Sequence, residues 1–196
     1  MRTKDENKAD AICQKAMEII VSKGFDGLSM QKLAKAANVS PATIYIYFKD
    51  REDLILQVAI KAAEKMVSAT LKDFNPEMSF EQGLKIQWGN RANYWLKNPI
   101  EAQFVEMVRH SPNGETVFKM VKAEFSTVMG EFVQRAIKRK ELIKLPLEVY
   151  WAVAFAPLYT LVKFHNNGRS IRNEKFIWND NYMKQTFKLV LKALQP

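Results

Sequence analysis

Apolar residues recur at helical spacing near the start of the chain. Ile12, Ala16 and Ile20 are four residues apart, which places their side chains on one face of an α-helix. We therefore expect a helix from about Glu6 to Lys23. Gly24 follows at the position where a left-handed residue ends many helices.

The same periodicity continues along the chain, interrupted by short polar or proline-containing segments. A long helix is expected over residues 50–73. The segment 74–78 breaks the pattern, so we place a domain boundary there. Beyond it the periodicity predicts five further helices, over residues 79–98, 99–110, 117–137, 146–165 and 177–194. The whole pattern predicts an all-α fold with about nine helices.

A pair of short, capped helices is predicted between Ser29 and Lys49. Ser29 and Ser40 are of a residue type that caps helix N-termini with the side-chain oxygen. Pro41 stands at the first position of the second helix, where a missing N–H costs nothing. Asn38 lies where the chain must turn, and asparagine tolerates the left-handed conformation better than most residues. These features are typical of a helix-turn-helix.

The second of these helices has a buried and an open face. Ile44 and Phe48, four residues apart, form the inward face. Four other side chains point elsewhere: Thr43, Tyr45, Ile46 and Tyr47. Because recognition helices contact base edges with their N-terminal residues, this helix is interpreted as one that reads the major groove of DNA.

Residues 10 to about 56 resemble the N-terminal domain of the TetR family of bacterial transcriptional regulators. The resemblance is carried by a set of positions in the same order: Lys23-Gly24-Phe25, Ser29, Leu33-Ala34, Val39-Ser40, Ile44-Tyr45, Phe48-Lys49, Glu52 and Leu54. The sequence departs from the family pattern at Asn38, Ile46 and Tyr47. Together with the break at 74–78, the resemblance implies a helix-turn-helix DNA-binding domain over 1–50, with a connecting helix that starts there and runs to about 73. A helical regulatory, ligand-binding and dimerisation domain over 74–196 would follow.

Ten side chains are candidates for contacting double-stranded DNA. Six are suggested by their size, hydroxyl group or charge: Ser40, Pro41, Ala42, Thr43, Lys49 and Arg51. The small residues let the backbone approach the groove, and the threonine can meet a base or a phosphate. The two basic residues are expected at backbone phosphates, which set register while base contacts set sequence. The alternative for these two is a solvated charge paired with Glu52 or Asp53.

The family resemblance adds the other four candidates. It implies that Ser29 faces a phosphate, that Tyr45 and Tyr47 touch phosphates or bases, and that Ile46 lies near a base. Since Ile46 cannot hydrogen-bond, we expect it to read shape or a thymine methyl group. The alternative for the two tyrosines is packing inside the small domain.

A homodimer that reads a palindromic operator is also implied by the resemblance. The last two long helices, roughly 146–166 and 173–194, would form a four-helix interface with their symmetry mates. The two reading domains would then meet half-sites ~34–36 Å apart, or a multiple of that distance. The candidate interface residues are Leu158, Leu161, Val162, Tyr182, Phe187, Val190 and Leu191. Some of these side chains can equally fill the core of one subunit.

The resemblance further implies that the second domain holds a small-molecule effector, whose binding would release a repressor from DNA. Aromatic and methionine side chains of the middle helices can line an apolar cavity, or simply fill a core. The candidates are Trp88, Arg91, Trp95, Phe104, Met107, Phe125, Met129, Trp151, Phe155 and Tyr159. The polar end of an apolar or aromatic ligand could be oriented by Arg91, Asn90, Asn93, Gln103 or His110. The helix over 50–73 would couple ligand binding to DNA affinity by linkage.

Composition agrees with a cytoplasmic DNA-binding protein. The formal net charge of +9 favours a polyanionic partner. The one cysteine, Cys13, excludes an internal disulfide, and a small apolar role is favoured over a redox sensor. The N-terminus lacks the apolar core of a signal peptide, and the longest apolar run, 149–162, is too short to span a bilayer. No membrane partner is expected.

No catalytic residue, cofactor or metal site is expected. The only histidines are His110 and His165, and the chain contains no HExxH spacing, no phosphate-binding glycine loop and no GxSxG. These absences disfavour an enzyme. The remaining alternative is a helical interaction protein that kept the fold but lost specific operator binding.

Overall fold

Ten α-helices account for most of residues 4–196, the part of the chain that this computed structural model describes; the side chains of residues 4–6, 122 and 124 lie outside the description. In chain order the helices are α1 (Lys4–Lys23), α2 (Met30–Ala36), α3 (Pro41–Tyr47), α4 (Arg51–Leu71), α5 (Phe80–Lys97), α6 (Pro99–Arg109), α7 (Gly114–Lys138), α8 (Leu147–Ala154), α9 (Ala156–Asn166) and α10 (Asp180–Leu194). A 3₁₀ helix, Phe25–Gly27, follows α1. The prediction of an all-α fold is confirmed.

Side-chain caps fix the starts of four helices, α2, α3, α4 and α5. Ser29, Ser40 and Ser79 each accept a hydrogen bond from the N–H three residues later, at 3.2, 3.1 and 3.4 Å. Asp50 accepts one in the same way at 2.9 Å, at the start of α4. Each such cap typically contributes ~1 kcal/mol. The helix starts predicted at Ser29 and Ser40 from their residue type are therefore confirmed.

Two predicted turns depend on a backbone with positive φ. Gly24 ends α1 with φ 74°, and Asn38 joins α2 to α3 with φ 53°. Glycine adopts such angles without a steric penalty, and asparagine does so more readily than other residues that carry a side chain. The direction in which α3 leaves α2 thus depends on one asparagine.

The chain folds into two compact units. One ends at Met66 and is completed by Ile100–Lys122; the other consists of Val67–Pro99 and Ala123–Pro196. The chain passes from the first unit to the second within α4 and again within α7. By packing, α6 therefore belongs to the N-terminal unit, although it follows residue 74. The functional boundary at residue 74 stays a prediction.

The core of the first unit holds the helix-turn-helix in place. Ile12, Leu33, Ile44 and Leu54 are all fully buried in one cluster, so α1, α2, α3 and α4 each contribute to it. Cys13 belongs to the same cluster, and burial raises the pKa of its thiol. A raised pKa keeps the thiol protonated, in agreement with a packing role.

The core of the second unit is largely aromatic. The ring of Phe132 lies 5.0 Å from that of Phe74 and 5.9 Å from that of Phe80, measured between centroids. A side chain at Gly83 would not fit, because a Cβ there would lie 2.3 Å from the Phe132 ring. Trp88 is fully buried nearby and donates from Nε1 to the carbonyl of Ala154 at 2.8 Å.

The single helix predicted over 146–165 is wrong. The structure has two helices, α8 and α9, with Phe155 between them. Pro157 explains the break, since it has no N–H to donate to the carbonyl four residues earlier. The last helix starts at Asp180, so the predicted start at 177 is also too early.

Among the described helices, none alone is long and apolar enough to cross a membrane. Only α8 and α9 taken together reach the required length and hydropathy, and they are bent by 43° relative to each other.

Candidate functional site

The recognition helix α3 exposes the side chains that the sequence predicted to meet bases. Ile46 is 77% exposed and Tyr45 is 53% exposed, whereas Ile44 is fully buried. Pro41 and Ala42, at the N-terminus of the helix, are exposed as well. An isoleucine that is three-quarters exposed gains nothing from the core, so its surface is available to a partner.

Two hydroxyl groups meet at the N-terminus of α3. Ser40 Oγ lies 2.9 Å from Thr43 Oγ1 and also accepts the N–H of Thr43 at 3.1 Å. The Thr43 side chain is half-buried. This pairing holds the hydroxyl of Thr43 against the cap of the helix.

Tyr47 takes a position between the core and the surface. It is half-buried, packs against the first core, and its ring centroid lies 6.4 Å from that of Phe48. Packing inside the small domain, the alternative to DNA contact for the two tyrosines, therefore describes Tyr47 better than Tyr45.

Asp53 fixes the turn that follows the recognition helix. Its carboxylate accepts the N–H of Lys49 at 2.8 Å and the side-chain amide of Gln57 at 2.9 Å. The hydrogen bond from Gln57, followed by that from the Lys49 N–H, lowers the pKa of Asp53 below its ordinary value. The Lys49 side chain stays exposed, so its ammonium group remains available to a phosphate.

Arg51 uses its guanidinium group inside the domain. Its Nε donates to the carbonyl of Leu28 at 2.9 Å, and its Nη2 donates to the carbonyl of Phe25. Its Nη1 pairs with Glu52. The arginine predicted to meet a phosphate therefore ties the start of α4 to the turn between α1 and α2.

A second set of predicted residues surrounds the guanidinium of Arg91 in the second unit. Arg91 is 5% exposed, and its Cζ lies 4.4 Å from the ring centroid of Phe155, 5.1 Å from that of Trp151 and 5.7 Å from that of Phe125. Its Nη1 donates to the hydroxyl of Tyr159 at 2.6 Å. Four of the predicted effector residues thus lie directly against Arg91.

The remaining predicted effector residues do not all join this cluster. The Trp95 ring is tilted by 42° against that of Tyr159, with the centroids 4.8 Å apart, and Trp88 and Met129 are buried in the same core. Phe104 and Met107 belong to the core of the other unit. Phe104 and Met107 therefore do not share a core with the other predicted effector residues, and the packing does not support the prediction that grouped them.

Residues 12–58 match the family model described as bacterial regulatory proteins, tetR family. An uncharacterized HTH-type transcriptional regulator of Haemophilus influenzae is 30% identical over 122 residues, which cover 62% of this chain and 65% of that protein. The chain thus spans a little under two thirds of that relative's length. Residues 12–58 thus form a domain of the tetR family of bacterial regulatory proteins.

Solved structures of TetR-family regulators share the whole fold. A TetR family transcription regulator from Marinobacter aquaeolei VT8 superposes with a TM-score of 0.85 at 25% identity, covering 100% of this chain and 99% of that one. A TetR-family transcriptional regulator from Haemophilus influenzae gives a TM-score of 0.79 at 23% identity, with both chains fully covered. The helix-turn-helix described above is thus that of a TetR-family transcriptional regulator.

The predicted dimer residues divide between core and surface. Leu158, Val162 and Val190 are buried in the second core. Half-buried are Leu161, Phe187 and Leu191, and Tyr182 is 48% exposed. The alternative of filling the core therefore applies to Leu158, Val162 and Val190, and the dimer role of the other residues stays a prediction.

Three surface features were absent from the sequence prediction. Leu189 is 70% exposed on α10, seven residues after Tyr182, a spacing that could have indicated a shared face. A depression of about 320 Å³ in the first unit is bordered by Lys23, Lys32 and Lys35. A groove of about 420 Å³ runs between α5 and α10, next to Phe187.

Proposed function

We propose that this TetR-family regulator is a repressor that binds a palindromic operator as a homodimer and is released by a small apolar or aromatic molecule. The observation that carries the DNA-binding part is the recognition helix itself. Its core-facing side is anchored by Ile44 and its start is capped by Ser40, while Tyr45 and Ile46 are left open to solvent.

The proposed DNA contacts fall into two groups. Ile46, Tyr45 and the exposed N-terminal residues of α3 would face base edges, as the N-terminal part of a recognition helix does. Lys49 would contact a backbone phosphate, with Ser29 at the start of α2 facing another. Arg51 would act indirectly, by holding the start of α4 in place.

The proposed dimer uses the open face of α10. Tyr182 and Leu189 lie seven residues apart on this helix and are both exposed, so they form one apolar stripe. Half-buried Leu161 and Leu191 would extend the contact. A two-fold arrangement of this kind would present two recognition helices to two half-sites.

The proposed effector response is a linkage between two sites. A ligand that binds better to a subunit arrangement unsuited to the operator must weaken DNA binding by the same factor, typically ~5–150-fold. The helix α4 runs from Arg51 in the first unit to Leu71 in the second. This helix would therefore transmit the effect of ligand binding to the DNA-binding helices.

Selection from a library of random DNA duplexes at about physiological salt tests the operator. The duplexes that the protein retains should be enriched in a palindrome, and sedimentation should give a dimer at the same concentration. The double variant Tyr182→Lys and Leu189→Lys should sediment as a monomer and lose the palindrome. Weak binding without any motif would instead support the alternative, a helical interaction protein that kept the fold.

A further inference from the structure

Arg91 carries a buried positive charge that no acidic side chain in the described part of the chain balances. Its guanidinium has five N–H donors, and two nitrogen atoms have partners: Nη1 donates to Tyr159 and Nη2 donates to Gln87 Oε1 at 3.1 Å. Both partners are neutral. The Nε of Arg91 is buried and has no hydrogen-bond partner within residues 4–196 as the structure describes them.

Aromatic rings compensate part of the cost of burying this charge. The faces of Phe155, Trp151 and Phe125 lie 4.4 to 5.7 Å from the guanidinium carbon, within the range of cation–π attraction. Such attraction does not replace an anion, because the N–H of Nε still points at no acceptor. A buried charge of this kind is usually paired or functional.

A second unpaired polar atom lies within the influence of this charge. The hydroxyl of Tyr150 is buried and has no hydrogen-bond partner among the described residues. Burial raises the pKa of Tyr150, and the positive charge of Arg91 opposes that rise. The phenol therefore remains protonated and keeps an O–H to donate. One donor of Arg91 and one of Tyr150 lack an acceptor in the same core.

We propose that Arg91 is the anion-binding residue of the effector site and that the effector is a small organic carboxylate with an apolar body. Its carboxylate would accept from Arg91 Nε–H, in the planar geometry that guanidinium groups favour, and from the Tyr150 hydroxyl. Its apolar body would lie against Trp151 and Phe125, which are half-buried and form the edge of the cluster that a ligand can reach.

A carboxylate fits these donors better than the other ligand classes do. An amine would place a second positive charge beside Arg91, and an alcohol has no charge to balance the guanidinium. A phosphate group is larger and doubly charged, and Arg91 is the only cation that the described residues bring to these aromatic rings. The inference deepens the proposed function, on which it rests, by naming the chemical class of the effector.

Calorimetric titration of the full chain with matched probes tests the inference. The carboxylates are 3-phenylpropionate and decanoate, each compared with its alcohol, 3-phenylpropanol or decanol. We expect at least one carboxylate to bind at least tenfold more tightly than its alcohol. Equal affinity for acid and alcohol, or no binding of either carboxylate at millimolar concentration, would overturn the inference.

Single-residue variants test whether Arg91 and Tyr150 cause the preference for a carboxylate over its alcohol. Arg91→Lys keeps the positive charge but loses the planar fork, so the preference for the carboxylate should fall at least tenfold. Tyr150→Phe should weaken carboxylate binding about fivefold and leave alcohol binding unchanged. Arg109→Gln is the control, because Arg109 also lies over a ring, that of Phe118 at 4.1 Å, but in the other unit. An unchanged preference in both Arg91→Lys and Tyr150→Phe would refute the assignment.

Circular dichroism and thermal melting of each variant separate loss of a site from loss of the fold. If Arg91→Lys fails to fold, Tyr150→Phe and the comparison of acid with alcohol in the unaltered protein decide the question. Operator binding with and without 3-phenylpropionate distinguishes the two proposals. Tight, Arg91-dependent carboxylate binding without DNA release supports the carboxylate site and contradicts the effector response. DNA release by acid and alcohol alike supports the effector response and overturns the carboxylate inference.

Discussion

Gln87 donates a hydrogen bond from Nε2 to the main-chain carbonyl of Thr70, at 3.0 Å, and both residues are buried. The other end of the same amide, Oε1, accepts a hydrogen bond from Arg91 at 3.1 Å. One side chain therefore joins the proposed effector-binding arginine to the last turn of α4. Asn90 reinforces this end of the helix by donating to the carbonyls of Thr70 and Lys72.

We predict that Gln87→Met separates effector binding from DNA release. Arg91 Nη2 loses its buried acceptor, so the free energy of unfolding should fall by about 1–3 kcal/mol. The effector should still bind, while the factor by which it weakens operator binding should drop toward one. Fluorescence anisotropy of a labelled operator, titrated with and without effector, measures that factor.

Gln82→Met is the matched control for this prediction. Gln82 lies on the same helix, α5, and its side chain is exposed, so neither stability nor coupling should change. A Gln87→Met protein that releases DNA as the unaltered protein does would exclude Gln87 from the coupling.

Lys49 and Arg51 are two residues apart, and we predict that they contribute in different ways. Lys49→Gln should leave stability unchanged and reduce the slope of log affinity against log salt by about 0.9 for each phosphate that the lysine neutralises. Arg51→Gln should lower the free energy of unfolding by about 1–3 kcal/mol, because the carbonyls of Leu28 and Phe25 lose their charged donor. Salt titrations and urea melts of both variants provide the measurement.

The reverse pattern would restore the role that sequence reasoning gave to Arg51. If Arg51→Gln changed the salt slope and left the melt unchanged, the hydrogen bonds of its guanidinium to the first unit would have no energetic weight. If Lys49→Gln left the salt slope unchanged, Lys49 would be a solvated charge that contacts no phosphate.

The sequence predicted local features of the fold better than long-range ones. Caps at Ser29 and Ser40 and the turn at Asn38 depend on residues within four positions of each other, so residue type alone indicates them. The role of Arg51 depends on carbonyls more than twenty positions away, which no local pattern reveals. The residue type of Phe104 indicated a side chain that lines a cavity or fills a core, but it could not show which of two cores receives the side chain.

The sequence missed the break between α8 and α9 for a different reason, the ambiguity of a proline. The apolar pattern around Phe155 continues without interruption, and only Pro157 signals a break. A proline in the first turn of a helix and a proline that ends one give the same local signal. The structure distinguishes them, because Pro157 lies in the first turn of α9.

We predict that Ile46→Ala weakens operator binding about tenfold, equal to about 1.4 kcal/mol, without loss of stability. Ile46 is 77% exposed, so the core does not need it, and its apolar surface suits a thymine methyl group. The loss should be greatest on operators with thymine at the contacted position. Ile171→Ala is the control, since Ile171 is 88% exposed and lies in the second unit. Unchanged binding to every operator variant would contradict readout by Ile46.

The positive φ of Asn38 predicts a difference between two small substitutions. Asn38→Ala should lower the free energy of unfolding by about 1–2 kcal/mol, because alanine pays the steric cost of φ 53°. Asn38→Gly should be at least as stable as the unaltered protein. Urea denaturation of the two variants measures the difference. Equal stability of the alanine and glycine variants would show that the turn relaxes to a different backbone conformation.

The turn after the recognition helix should depend on pH through Asp53. Its pKa is lowered in the folded protein, first by the hydrogen bond from Gln57 and then by that from the Lys49 N–H. A lowered folded pKa means that this stabilisation is complete above the ordinary pKa of aspartate, about 4, and is lost as the pH falls through the lower folded value. Asp53→Asn should therefore remove part of the stability at pH 7 and flatten its decrease in acid.

Thermal melts from pH 7 to pH 2 compare the two proteins. The exposed carboxylate Glu64 on the same helix supplies the control variant Glu64→Gln, which should follow the unaltered protein throughout. The curves of Asp53→Asn and of the unaltered protein should converge at the acid end, where protonation has already weakened the bonds to Gln57 and Lys49. Parallel curves would mean that Asp53 stabilises the turn without its charge.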